Sequence, residues 1–306
     1  MGRRTTGIGI AALITAALAV VPGCQRKEAT ATSGATTILA SHPLDSLVRE
    51  EAAQYVSLYP QVQLAVRAVE TREAVVDLLN GGTSVIAIDR PLNDEERDVA
   101  AQAGLNLTVN AFAHDGLAVI VHRLNPVRQM TVESVRRIVT REATAWAAIP
   151  DARWDRAIEL ALSDVNSGPP ELLQRTFFHL PRAPEPTTRV GTQEQALAYV
   201  AAHPAAVTFV SMTHLDQLSS DLRIVPIEST DSTATDRFVL PSQMNVYQSL
   251  YPFHYSLYLV LAESKAAVGA GFSTFVIKTV EGQKLVQKAG LVPVNIPNRV
   301  IQLNPE

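Results

Sequence analysis

The feature that most restricts the fold is an alternation of short apolar runs with longer amphipathic stretches. "TTILA", "VQLAV" and "SVIAI" are each too short for a stable helix, and a helical pattern follows every one of them. In "PLDSLVREEAAQYVSLY", Leu44, Leu47, Val48, Ala52, Tyr55 and Val56 share one helical face, with Pro43 suited to a first turn. Val62, Leu64 and Val66 alternate to one side of an extended segment. The helix "REAVVDLL" stops at Asn80-Gly81-Gly82, and "SVIAI" runs into Asp89-Arg90 before the capped helix "NDEERDVAAQAG". Strand then helix, repeated, predicts an α/β architecture with largely parallel sheets.

The alternation breaks at "LTVNAFAHDGLAVIVH", extended sequence with no helix after it, as expected of a strand crossing from one lobe to another. A second series follows. The helix "TVESVRRIVTREATAW" buries Val132, Val135, Ile138 and Val139, and "IELAL" is the next strand. After it comes a polar Asn166-Ser167-Gly168 bend opening a helix, a frequent anion cradle because helix N-termini present free N–H groups and partial positive charge. Here Pro169 and Pro170 remove two of those N–H donors, so a helix start with no ligand explains the bend equally well. "TQEQALAYVAAHP" carries a capping-box pattern in Thr192 and Gln195, "AVTFVSM" is a strand and "STDSTATDRFVLPSQ" a polar loop. The chain returns through "SLYLVLA" and two amphipathic helices, the last closing at Gly290.

The beginning of the chain has a different character. Arg3 and Arg4 precede the apolar "IGIAALITAALAVV" and Pro22-Gly23-Cys24, the pattern of an export signal too short to span a bilayer comfortably. "VPGC" resembles a bacterial lipobox, which implies acylation of Cys24 and a mature protein starting there; a buried structural cysteine is the alternative. With one cysteine in the chain a disulfide is excluded. Residues 25–36, rich in Thr, Ala, Ser and Gly, read as a flexible tether, and the folded part is expected outside the cell membrane, lipid-anchored on its periplasmic side. A net charge of −4 without a basic run argues against nucleic acid as the partner.

"AHDGLAVIVHRLNPVRQMTVESVRRIVTREATAW" resembles the PstS-like phosphate-binding proteins of ABC importers, through Asp115, Gly116, Asn125, Pro126, Thr131 and Trp146. "IAIDRPLNDEE", "SLYPFHYSLYLVL" and "EGQKLVQKAGLVPV" are similar to other segments of that family, in the same order. The resemblance implies an α/β, two-lobed, type II periplasmic-binding fold. Each lobe has a mostly parallel sheet flanked by helices, and two crossover strands form the hinge. Residues 1–24 are then the signal peptide, 36–115 with 238–306 one lobe, and 116–237 the other.

The ligand loops implied by the resemblance fall on Ser41 with His42, on Thr71, on Asp89 with Arg90, and on Asn166, Ser167 and Gly168. Ser41 can donate to a ligand or cap the next helix. Asp89 matches a carboxylate that accepts a proton from a bound oxyanion, and is equally a turn aspartate beside Arg90. The departures all thin the donors. Ser163 and Tyr255 stand at arginine positions, Glu70 and Glu73 replace a glycine-rich loop, and Glu171 is expected to set its own carboxylate at the positive helix end.

The expected function is delivery of phosphate or another small oxyanion to ABC permease subunits by a monomer without cofactor or metal. The alternative is a relative that binds no phosphate and acts as a sensor or envelope component through a protein partner. An enzyme is not expected: the seven histidines are scattered, and neither His-Glu-x-x-His nor Gly-x-Ser-x-Gly occurs.

Overall fold

A computed structural model describes residues 1–2, 29–150, 152–164, 166–232, 234–263 and 267–295. The export segment and Cys24 lie outside the described residues. In chain order the elements are β1 (Gly34–Ser41), α1 (Asp45–Leu58), β2 (Val62–Val69), α2 (Thr71–Leu79), β3 (Val85–Ile88), α3 (Asp94–Gln102), β4 (Leu107–His122), α4 (Val132–Val139), β5 (Glu159–Leu162) and α5 (Gly168–Glu171). A π-helical turn, Leu172–Phe177, prolongs α5. Then follow β6 (Thr188–Arg189), α6 (Gln193–Ala202), β7 (Ala206–Ser211), β8 (Leu222–Ile224), β9 (Ile227–Glu228), β10 (Phe238–Val239), α7 (Gln243–Tyr247), β11 (His254–Ala262), α8 (Ala267–Lys278), α9 (Val280–Lys288) and β12 (Val292–Pro293).

The main sheet runs β2-β1-β3-β11-β4-β7-β5-β6. Its two wings are parallel: β2, β1 and β3 on one side, β7, β5 and β6 on the other. Between them β11 and β4 run antiparallel to each other and to their neighbours. One strand joins the wings. The first half of β4 pairs with β11, and the second, from Leu117 onward, pairs with β7 and β8. The mixed order follows from connection chemistry, since helical crossovers give parallel neighbours and a strand passed directly from one wing to the other has no need of one.

Burial follows the sequence pattern closely. Leu44, Leu47, Val48, Ala52 and Tyr55 are buried under α1, β3 is buried at every residue, and Gly81 takes the left-handed φ of 74° that ends α2. Asn93 and Glu96 form a reciprocal capping box on α3. Three expectations shift. The helix expected over 131–146 ends at Val139, since Thr140 caps it and Arg141 takes a left-handed φ of 64°, and Trp146 opens a separate turn. β1 starts at Gly34, inside the stretch read as a tether, and Tyr55 Oη donates to Ala31 O at 2.5 Å to fasten that approach. Thr192 caps α6 as expected, but Gln195 Oε1 accepts from the Gly191 N–H and not from the cap residue, so the box is displaced by one residue.

Candidate functional site

Four strand ends supply the candidate residues. β1 ends on Ser41, β3 runs into Asp89 and Arg90, α2 opens at Thr71 just after β2, and β5 leads into the 163–168 bend. These are carboxyl ends of parallel strands, where short loops and helix N-termini present polar groups and where open α/β sheets bind ligands. Ser41, Thr71, Asp89, Arg90, Ser163, Ser167 and Gly168 are all buried there, whereas His42 and Asn166 are exposed.

The facing wings are in contact. The Asp89 carboxylate lies against Gly168 so closely that a Cβ at residue 168 would overlap it, which is why only glycine fits. Thr71 Oγ1 donates to Asp89 Oδ1 at 2.5 Å, and the Arg72 amide reaches Asn166 O at 3.4 Å across the interface. Burial raises the Asp89 pKa, opposed by the Thr71 hydroxyl and the Arg90 charge. In this closed arrangement Asp89 itself fills the bend.

The other candidates have partners of their own. Ser167 Oγ lies 2.8 Å from Ser163 Oγ and donates to Asp164 O at 2.6 Å, while Asn166 Nδ2 donates to Asp164 Oδ1 at 2.8 Å. His42 Nε2 is 3.7 Å from Glu70, a glutamate whose pKa burial raises with help from Asp164 and Asp89, against the lowering effect of His42. Arg90 gives both Nη atoms to Glu96, at 2.8 and 2.7 Å, and its Nε edge faces Glu171 Oε2 at 2.5 Å. That last contact is off the N–H axis, so it is a charge contact and not an aligned hydrogen bond. Glu171 therefore turns to Arg90 and not into the bend as expected. Ser41 Oγ is the exception: it is buried with no hydrogen-bond partner among the described residues, although its place before the turn at His42–Leu44 offered a capping role.

On the hinge strands lies a second polar cluster, built around Asp115 of β4. Asp115 accepts from Ser211 Oγ at 2.6 Å, Tyr255 Oη at 2.6 Å, Gly116 N at 2.6 Å and Met212 N at 3.0 Å. Gln193 Oε1 accepts from the Ser211 amide at 2.7 Å and extends it. Burial pushes the Asp115 pKa up to about 6 despite those donors. The tyrosine at an arginine position thus meets the aspartate of the Asp-Gly motif, and that coincidence of two quoted motifs was the available signal. His114 and His254 also share the hinge, His114 Nδ1 lying 3.1 Å from Ser256 Oγ and His254 Nδ1 2.7 Å from Tyr251 O.

A family model described as a PBP superfamily domain matches residues 26–279. The chain belongs to the PBP superfamily. Within that superfamily it is similar to the phosphate-binding protein PstS of Pseudomonas aeruginosa, 23% identical over 303 residues that cover 94% of this chain and 91% of the relative. Among solved structures it is similar to a putative phosphate ABC transporter substrate-binding protein with bound phosphate from Clostridium perfringens, with a TM-score of 0.71 at 20% identity, covering 86% of this chain and 100% of the other. An ABC-type phosphate transport receptor from Vibrio cholerae gives a TM-score of 0.68 at 18% identity, covering 85% and 100%. At such identities the structures establish the shared fold, the two wings joined through β4 described above.

Proposed function

We propose that this PBP-superfamily chain is an extracytoplasmic solute-binding protein that takes phosphate or a related oxyanion between its two wings and delivers it to an ABC permease. Residues 36–115 with 238–306 form one lobe and 116–237 the other, held near the membrane by a lipid on Cys24. The observation that carries the reading is the buried Ser41 hydroxyl, without a partner among the described residues, at the strand ends where Thr71, Asp89, Ser167 and Gly168 converge, with relatives named for phosphate binding in support. A lone buried hydroxyl is costly unless something accepts or donates to it, and a bound oxyanion does so.

The same residues dictate how the solute enters. Asp89 must leave the Ser167–Gly168 bend or share it, so binding requires the wings to part and reclose. While ionised, Asp89 only accepts hydrogen bonds and so favours an oxyanion that brings a proton of its own, a preference that burial weakens by raising the Asp89 pKa. Isothermal titration of the full-length chain with phosphate and, separately, sulfate tests the reading. Heat with phosphate and little with sulfate is expected; no heat with either overturns it.

A further inference from the structure

β4 and β11 run side by side at the hinge, and strand alternation sorts their side chains onto two faces. His114 lies opposite Ser256, Asp115 opposite Tyr255 and Gly116 opposite His254 in the antiparallel register. With a period of two, Asp115 and Tyr255 share one face, where they form the buried cluster described above, and His114, His254 and Ser256 share the other. His114 and His254 are then diagonal neighbours with β-carbons roughly 7 Å apart, a gap that two imidazole rings can close. Both rings are half-buried and line a cavity of about 560 Å3 together with Ser249, Ser256 and Asn295. None of Ser41, Thr71, Asp89 and Gly168 lines it.

The ring nitrogens are sorted as well. His254 Nδ1 lies 2.7 Å from Tyr251 O, and a carbonyl only accepts, so Nδ1 carries the proton and the neutral ring keeps its lone pair on Nε2. Ser256 Oγ, 3.1 Å from His114 Nδ1, accepts from the same tautomer of His114. Neither Nε2 makes a hydrogen bond among the described residues. Burial, with a smaller contribution from His254, holds the His114 pKa below its usual 6.5, which keeps that ring neutral at pH 7. A histidine that ligates a metal ordinarily has this form, one ring nitrogen fixed by an oxygen and the other left to the ion.

We propose that His114 and His254 form a two-histidine site for a late first-row divalent cation, copper(II) ahead of nickel(II) and zinc(II), held through the two Nε2 atoms with water completing its shell. Imidazole nitrogen suits these ions, and affinity at a given nitrogen site is highest for copper(II). Calcium and magnesium are poorly served, since they take oxygen ligands. Among the described residues no group of three or more His, Cys, Asp or Glu side chains gathers to hold a metal, so the site is open and exchangeable, unlike a closed structural zinc centre. The ion joins β4 to β11 on the face opposite Asp115 and Tyr255. It shares no residue with the strand-end site, so the proposal stands whatever solute the cleft takes.

The test titrates copper(II) chloride into the full-length, untagged, chelator-stripped chain, with any free thiol of Cys24, its single cysteine, alkylated beforehand. Calorimetry gives the affinity and electron paramagnetic resonance the ligands. The expected spectrum is that of a tetragonal copper(II) ion with pulsed-resonance lines from a pair of imidazoles. His114→Ala and His254→Ala should each weaken binding by at least about tenfold, because loss of a contact that merely supports a ligand already costs that much. His203→Ala, at the end of α6 and outside the cavity, should bind as the wild type does. Wild-type affinity in either hinge variant overturns the proposal, and so does a wild-type spectrum without imidazole nitrogen. That spectrum requires no substitution, so it decides the matter even where a variant fails to fold.

Discussion

Asp89 and Gly168, from opposite wings, are packed so tightly that the carboxylate of one occupies the space a side chain on the other would need. This pair fixes how closely the wings approach, because Asp89 is also held from its own side by Thr71 Oγ1 at 2.5 Å. A methyl group at residue 168 has no room unless Asp89 or its wing moves. Gly168→Ala is therefore expected to leave each wing folded, to raise amide exchange at Arg72, and to weaken phosphate binding by at least about tenfold, roughly one lost charged hydrogen bond. Exchange and titration at the wild-type values would show that the contact does not set the closed state.

Much of this arrangement is legible in the sequence because strands and helices announce themselves by period. The runs Val85–Ile88 and Ala206–Ser211 are wholly apolar apart from a few small polar residues and emerge as buried parallel strands, and "LTVNAFAHDGLAVIVH" emerges as one unbroken crossover strand. The site was less legible for a physical reason. Its character depends on which donors meet which carboxylates across long sequence separations, and periodicity carries no information on that. Arg90 reads as a free cation until Glu96 and Glu171 are seen around it, and Asp115 reads as a motif residue until Ser211 and Tyr255 reach it. The π-helical turn after Glu171 also has no local signature, since "LLQRTF" would suit an α-helix.

Tyr255 supplies the test of the hinge cluster. Its hydroxyl is one of four donors to a fully buried aspartate, so Tyr255→Phe removes a charge-assisted bond and leaves the ring packing in place. The expected cost is about 1.5–3 kcal/mol in chemical unfolding. The Asp115 pKa should also move further up from about 6, because burial is its largest cause and a lowering donor is lost. A loss below about 0.5 kcal/mol would place the Asp115 charge on the remaining donors alone.

Ser41 offers a test specific to the ligand. Because its hydroxyl has no partner among the described residues, Ser41→Ala removes no hydrogen bond seen there and should leave the melting temperature without phosphate unchanged or slightly higher. Phosphate affinity should fall by about tenfold, the worth of one hydrogen bond to a charged group. Equal losses of stability and affinity would mean that the hydroxyl serves the fold.

Glu51 gives a pH prediction independent of the cleft. It sits on α1 with both carboxyl oxygens buried and without a partner among the described residues, and burial, with a smaller contribution from Glu50, raises its pKa to about 9. The unfolded chain binds its proton with the ordinary carboxyl pKa of 4.5, so between about pH 4.5 and 9 the folded state holds a proton that the unfolded state has released. The stabilising contribution is therefore complete below pH 4.5 and is lost as pH rises toward 9, with a slope approaching about 1.4 kcal/mol per pH unit in mid-range. Glu51→Gln removes the titration while keeping the shape. Urea unfolding at pH 5.5 and 8 should show the wild type losing a few kcal/mol over that interval and the variant much less, on the scale of that slope. Parallel profiles for the two proteins would mean that water or a neighbouring group reaches the carboxylate when it ionises.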